Sequence, residues 1–425
     1  MIFLKYISIP ELNISKSWSV GWNKFSQLSK FEQCITFFWF LGPFIYLIER
    51  DPADLWLTLL SLIFIIKCFI DMNWKWATQL WFKCAILLWL FGLISAILSP
   101  DPLFSFTQGF VWIRFPLYAA AAQVWLARDK DIRVIMFISI LVGMLLMCVI
   151  LIAETIIEPK PRLTWPFGDL VPGTYISKFS LPVFCALIAI AMSTKNKAGY
   201  FTGIIALLSI FVTALTGERT NFLIRACSGF LAGIVWRPKL KLFLILIIFE
   251  LFAVIFLALN RPDFRTRFST NFIKSIPVLN TTDTNPYWGA WRAGIQQGLI
   301  SPILGTGPSG TRNTCKFLNT NEPKWLPGKN FCSNHPHNFY VQLFAETGII
   351  GLFLGSLMFG SITYSCYKAR NDDPNCPMKS TAFIVPLALF FPIQQFGSFY
   401  GQWGNLFIWF AIAFAISEYQ SWEKS

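Results

Sequence analysis

The amino-acid sequence predicts an all-α polytopic membrane protein of about 12 transmembrane helices with a long, partly helical loop on its outer face. Three observations predict it. The chain is 55% hydrophobic and only 13% charged, whereas soluble domains carry about a quarter charged residues. Apolar stretches long enough to cross the hydrocarbon core, about 20 residues each, recur from one end to the other. Most of them also lack the polar face that a helix of a soluble bundle shows.

Residues 1–32 come first, with Lys5, Lys16, Lys24 and Lys30 among scattered apolar residues. They read as a segment lying on the membrane surface, and no apolar run precedes a small-residue cleavage site. Windows near 33–49, 55–71, 77–98, 110–127, 132–154, 176–193, 199–216, 219–236 and 240–259 predict the helices of the 33–259 region. The loop 260–338 follows. Windows near 339–365, 379–397 and 403–420 supply the last helices of the 339–425 region.

Lysine and arginine set the orientation. One set of alternating connections carries Lys75, then Arg128, Lys130 and Arg133, then Lys195 and Lys197, then Arg237, Lys239 and Lys241, then Lys368, Arg370 and Lys379. The other set is sparse: Arg50, nothing over 99–109, Lys160 with Arg162, Arg219, and nothing over 398–402. The positive-inside rule places the first set and both termini in the cytoplasm, and 260–338 outside. The net charge of +13 is therefore mostly inside bias. Its outer remainder suits membrane lipid or an anionic lipid-linked substrate, not nucleic acid.

Of ten cysteines, only Cys315 and Cys332 lie in the outer loop. In an oxidising compartment they close a disulfide just before the histidines; otherwise they are two free thiols. Two outward stretches break the pattern of helix and short turn. "TIIEPKPRLTWPFGDLVPGTY" (155–175) is too rich in proline for an ordinary helix. The long loop is itself a sign of function. Within it, "RPDFRTRF" (261–268) clusters Arg261, Arg265 and Arg267. "NPYWGAWRAGIQQGLISP" (285–302) reads as a helix capped by Asn285 with Pro286 in its first turn. Trp288, Trp291, Ile295 and Leu299 form its apolar stripe, with Arg292 beside it. "LGTGPSGTR" (304–312) is a glycine-rich turn ending at Arg312, without the strand or the Lys-Ser/Thr ending of a nucleotide loop.

The chain's two histidines, His335 and His337, stand in "FCSNHPHNFYVQLFAETG" (331–348). A zinc site needs three or four ligands. Here Cys332 is the one further donor before Glu346, and Pro336 favours an extended turn that points the rings apart. No metal is expected. Asn338 starts a helix whose free N–H groups attract anions. On the same face stands Arg219, in "LTGERTNF" (215–222), with Glu218 placed to orient its guanidinium. Arg114 and Arg225 lie inside apolar windows, where charge usually faces the bundle interior. Arg225, less than two turns from Arg219, is expected to extend the same polar track. Gly348 is expected to break the helix, with Glu346 either pairing with an arginine or holding the break.

"HPHNFYVQLFAETGIIG", "PILGTGP", "LTGERTNF" and the long outer loop together resemble the superfamily of bacterial O-antigen ligases and polymerases. The resemblance runs from about residue 199 to the end. It implies a metal-independent glycosyltransferase of the inner membrane, without a cofactor and with a periplasmic active site. Such enzymes move a glycan from undecaprenyl pyrophosphate to an acceptor hydroxyl. The acceptor is lipid A–core in ligases and another lipid-linked glycan in polymerases. The family arginine falls on Arg219 and the family histidine on His337, the expected catalytic pair. Arg265 or Arg267 matches the arginine of the early outer loop. Many relatives carry an arginine four residues before the loop tryptophan, where this chain has Tyr287; Arg292 or Arg312 is expected to supply that charge. With His335 and Asn338, these arginines make the expected substrate-binding set. A ligase is the first reading, a polymerase the second, and a lipid-linked sugar transporter, with polar residues at the bilayer midplane, the third.

Overall fold

Ser29 opens the first long apolar helix with a capping box: its hydroxyl accepts from Glu32 N–H while Glu32 reaches back to Ser29 N–H. That reciprocal cap satisfies two N–H groups that a helix start leaves unpaired. The computed structural model describes residues 14–193, 197–236, 240–266, 268, 276–277, 279–318, 323, 325–393 and 397–419. Arg267, and with it Lys5, Lys195, Arg237 and Lys239, lies outside the described residues. Every regular element among the described residues is helical.

The N-terminal part comprises α1 (Ile14–Gln27), α2 (Lys30–Ile48), α3 (Arg50–Asp71), α4 (Leu80–Ile97), α5 (Pro102–Trp112), α6 (Arg114–Trp125) and α7 (Lys130–Ile157). The sequence leaves 99–109 as a loop, but Asp101 accepts from Phe104 N–H and Pro102 occupies the first turn, so a helix starts there. Lys24 ties α1 to the start of α7 through Asp129 at 2.8 Å and Asp131 at 2.7 Å. Arg114 grips Asp54 with both terminal nitrogens, at 2.9 and 2.6 Å, so this intramembrane charge is a structural clasp.

Lipid tails are as apolar as leucine, so helices in a bilayer associate by close packing and by hydrogen bonds between helices. The core follows that rule. Gly42 lets α2 approach α3 so closely that a Cβ would lie 2.7 Å from the Trp56 ring. Ala119–Ala122, all fully buried, give α6 a smooth flank. Aromatic rings fill the remaining space, with Phe179 stacked on Phe410 at 3.8 Å and Trp39 on Tyr118 at 4.7 Å. Three polar tips find backbone oxygens: Trp56 donates to Phe38, Tyr46 to Leu406 and Tyr175 to Pro43.

After the proline-rich loop a π-helical turn, Tyr175–Phe179, leads into α8 (Leu181–Ser193), and the two are bent by 54°. Then come α9 (Lys197–Leu215), α10 (Arg219–Val235) and α11 (Leu240–Asn260). The long loop contains α12 (Pro286–Ile300), and α13 (Phe339–Asp372), α14 (Ile384–Leu389) and α15 (Trp403–Ile416) complete the bundle. Gly348 breaks α13 with φ 64° and ψ −165°. The turn after α12 splices onto that break: Ile349 N–H donates to Pro302 O, Thr306 N–H to Ala345 O and Gly307 N–H to Glu346 O.

Each apolar window of the sequence overlaps a helix. Among the described residues, however, six helices are long and apolar enough to span alone, or up to seven counting the bent pair. Other windows fall on shorter helices, such as Arg219–Val235 and Trp403–Ile416. The chain is a multi-pass helical membrane protein.

At Gly348 the left-handed backbone leaves no room for a Cβ, which would lie 2.2 Å from Ile303 O. Gly348→Ala is expected to cost at least about 1–3 kcal/mol, read as a lower apparent Tm in detergent. Gly360→Ala, on the same helix but with no heavy atom within 4 Å of its Cβ position, is expected to leave Tm unchanged.

Candidate functional site

The histidines lie on an irregular strap, residues 325–338, that α12 holds along its length. Trp288, Arg292 and Gln296 are spaced by four and so share one helix face. Trp288 Nε1 donates to Pro327 O at 2.8 Å, and Arg292 Nε to Leu326 O at 3.0 Å. Arg292 Nη1 donates to Asn330 Oδ1 at 2.5 Å, and Asn330 Nδ2 to Gln296 Oε1 at 2.6 Å. Trp288, Trp291 and Leu326 close an apolar cluster with Ile295 and Val341, whereas Leu299, expected on the same stripe, is exposed. A disulfide joins Cys315 to Cys332, with Cα atoms 5.5 Å apart. Arg292 is thus buried and committed to the strap; it does not replace the charge missing at Tyr287. Arg312 lies over the Phe104 ring at 5.3 Å, and Arg265, itself exposed, ends a short helix, Pro262–Arg265.

The strap then turns sharply. Pro336 sits against Gly294, where a Cβ would be 2.9 Å from its Cγ, and His337 adopts a left-handed φ of 59°. This conformation is uncommon away from glycine, with histidine among the residues that tolerate it. The turn folds the rings of His335 and His337 together, with centroids 4.2 Å apart. The extended geometry expected across Pro336 is therefore wrong, because the bend occurs at His337. Tyr287 meets the His337 ring edge-on at 5.5 Å. Among the described residues no group of three or more His, Cys, Asp or Glu is placed to hold a metal.

Asn338 caps α13. Its Oδ1 accepts from Tyr340 N–H and Val341 N–H at 3.0 and 3.1 Å, and its Nδ2 donates to Pro392 O at 2.6 Å. The expected open N–H groups are thereby largely taken, and the amide itself is committed to the fold. Tyr340 Oη donates to Phe390 O at 2.6 Å, so the histidine turn is moored to the strip 390–393 after α14.

The glycine-rich turn has an internal partner. Buried Glu346 accepts from Ser309 N–H and from Gln342 Nε2, both at 2.9 Å, through Oε2. Gln342 also donates to Ser398 Oγ and accepts from Phe399 N–H. Glu346 therefore holds the helix break and pins the turn.

Arg219 begins α10 at the mouth of an apolar groove of about 420 Å³. Arg219, Leu223, Cys227 and Leu231 line it from α10, with Leu387 and Phe391 opposite. Spacing by four makes these α10 residues a single stripe about 18 Å long. The facing strip is the one that Asn338 and Tyr340 moor, so the groove and the histidine turn share a wall. Glu218, expected to orient Arg219, pairs with Arg162 of the proline-rich loop. That loop is ordered from below by buried Glu154, which accepts from Thr164 N–H, Thr164 Oγ1 and Trp165 N–H. Arg225 does not extend the Arg219 track. Six residues on, it is rotated about 240° around the helix. There it is buried over the Phe184 ring at 3.9 Å, beside Ser180 and Met144.

Residues 204–355 match a family model described as O-antigen ligase. That segment is similar to O-antigen ligases. The matched segment runs from within α9 to just past the Gly348 break, and so contains Arg219, the strap, His337 and Glu346. No curated protein matches the chain. Members of this family are glycosyltransferase-like enzymes, ligases or polymerases.

Sequence reasoning missed the strip 390–393, which unites the two halves of the site. It also missed Lys178, which is buried in the π-helical turn with Glu218 as a nearby charge. A lysine inside an apolar window was the available signal.

Arg292→Ala leaves Leu326 O and Asn330 without their donor, at about 1–3 kcal/mol for each buried group. The expected outcome is faster proteolysis within 325–335, with helicity by circular dichroism retained.

Proposed function

We propose that this O-antigen ligase-domain protein is an inner-membrane glycosyltransferase, independent of metal and cofactor, with the histidine strap on the periplasmic face. It moves an O-antigen-type glycan from undecaprenyl pyrophosphate to an acceptor hydroxyl, with lipid A–core as the acceptor. The observation that carries this reading is the Arg219 groove: an apolar channel in a membrane protein, with a guanidinium at its mouth and the histidine turn on its shared wall. A prenyl chain suits the channel, and a planar, permanently charged donor suits pyrophosphate oxygens. The orientation rests on α13, which starts beside His337 and carries Lys368 and Arg370 near its far end.

In the transfer, the acceptor hydroxyl oxygen attacks the anomeric carbon of the donor sugar. A new C–O bond forms as the bond to pyrophosphate breaks, and the leaving group takes the electron pair. Arg219 meets the charge that develops on the phosphate oxygens, and His337 donates a hydrogen bond to them. The hydroxyl proton ends on the pyrophosphate product or on solvent. Fixed donors aimed at developing charge are the largest catalytic term in such sites. The left-handed turn at His337, braced by Tyr287 and His335, fixes that donor before substrate arrives.

Purified protein in nanodiscs, given a polyprenyl-pyrophosphate glycan and a core glycolipid, tests the reading. Arg219→Ala and His337→Ala are each expected to lower kcat by about 10²–10³, with Arg219→Lys in between. Wild-type rates in both alanine variants would refute it.

A further inference from the structure

α12 grips the strap in two places. Trp288, Arg292 and Gln296 hold 326–330, and Gly294 seats Pro336. Between these grips Cys332 is bonded to Cys315, 17 residues away in sequence. Cys315 stands on anchored ground. It follows the short helix Thr311–Thr314, whose Thr311 O and Thr314 Oγ1 both accept from Gln297 Nε2 of α12. Asn313 Nδ2 donates to Asp101 Oδ2 at the start of α5. The disulfide is thus a covalent strut from that segment to the strap, five residues before His337.

The two sulfurs have unequal surroundings. Cys315 is buried, 2% exposed, whereas Cys332 is exposed. An outside thiolate therefore meets the bond at Cys332, and exposed disulfides are the exchangeable ones. The eight other cysteines lie outside the loop 260–338, so the second thiol that completes an exchange comes from another molecule. What the strut steadies is a conformation that needs support. His337 takes a left-handed φ of 59°, and such a backbone persists only where its surroundings fix it. His335, between Cys332 and that turn, lays its ring against the His337 ring.

We propose that this disulfide is a redox gate on the histidine turn: glycosyl transfer runs in the bonded form and falls when Cys315 and Cys332 are reduced. The proposal rests on the glycosyl-transfer reading above and adds its regulation. The partner is a dithiol, of the kind a thiol–disulfide exchange protein carries. One thiolate of the dithiol attacks Cys332 Sγ, and Cys315 Sγ leaves with the bonding electron pair and takes a proton. The second thiolate attacks the mixed disulfide and releases Cys332 Sγ, which is protonated in turn. Two electrons and two protons pass to the protein while the dithiol becomes a disulfide, and the reverse exchange rearms the gate.

Full-length protein in nanodiscs, given a polyprenyl-pyrophosphate glycan and a core glycolipid, tests this with dithiothreitol as the dithiol. Mass spectrometry after alkylation of samples reports the state of Cys315 and Cys332. The expected result is a kcat lowered at least about tenfold on reduction, the loss that a displaced catalytic group brings. Donor KM, set at the Arg219 groove, stays unchanged. Oxidised dithiothreitol then restores kcat, and helicity by circular dichroism is the same in both states. The double variant Cys315→Ser/Cys332→Ser is expected to match the reduced protein and to ignore dithiothreitol. Full activity with both thiols reduced overturns the proposal, as does a rise in donor KM in place of the fall in kcat. It is also overturned if dithiothreitol slows the double variant as much as wild type, or if the bond in the folded protein resists dithiothreitol. Each of those outcomes leaves transfer by the oxidised wild type standing; absence of that transfer overturns the underlying reading as well.

Discussion

A helix broken inside a membrane protein must find partners for the backbone groups that the break releases. At Gly348 those partners come from the turn 302–310, whose N–H groups meet Ala345 O and Glu346 O while Pro302 O receives Ile349 N–H. Ser95 Oγ adds a further bond to Glu346 O at 3.0 Å, and the Glu346 carboxylate closes on Ser309 N–H. This splice anchors the loop domain to the bundle. Because α12 ends where the turn begins, the splice also sets where α12 lies, and α12 sets the strap.

The site is assembled from distant parts through few connections. The strap reaches the bundle through Asn338 and Tyr340, and both bind the strip 390–393. Arg219 comes from the far side of that strip, at the start of a helix that the proline-rich loop covers. Arg162 locks that cover to Glu218 beside it, and Arg261 donates to Lys160 O from the start of the long loop. The arginines thus divide by task. Arg162, Arg261 and Arg292 hold polypeptide, Arg114 and Arg225 serve the bundle, and Arg219 faces the groove.

The helical membrane class was legible because hydropathy is a property of composition and run length. The Gly348 break was legible because a glycine just after a buried acid interrupts an otherwise continuous apolar run. For Cys315 and Cys332 compartment logic left a disulfide and two free thiols both open, and the fold joins them. Partner choice was not legible. Glu218 neighbours Arg219 in sequence, yet it bonds Arg162 from 56 residues away, a partner that only the fold of the covering loop supplies. The rings of His335 and His337 met, against expectation, because one left-handed residue outweighs the extended preference of proline. Asn338 read as the start of an anion site, but a capping side chain consumes the N–H groups that such a site needs. The strip 390–393 carried no signal, since its role uses backbone carbonyls that any residue supplies.

The central claim is that a prenyl chain lies along α10 with its pyrophosphate held between Arg219 and the histidine turn. A cryo-EM structure of the protein in nanodiscs with a polyprenyl pyrophosphate tests it most directly. Continuous density beside Leu223, Cys227 and Leu231, ending at Arg219 and His337, is the predicted result. Density for the pyrophosphate at the glycine-rich turn, or in a groove without Arg219, would contradict the account.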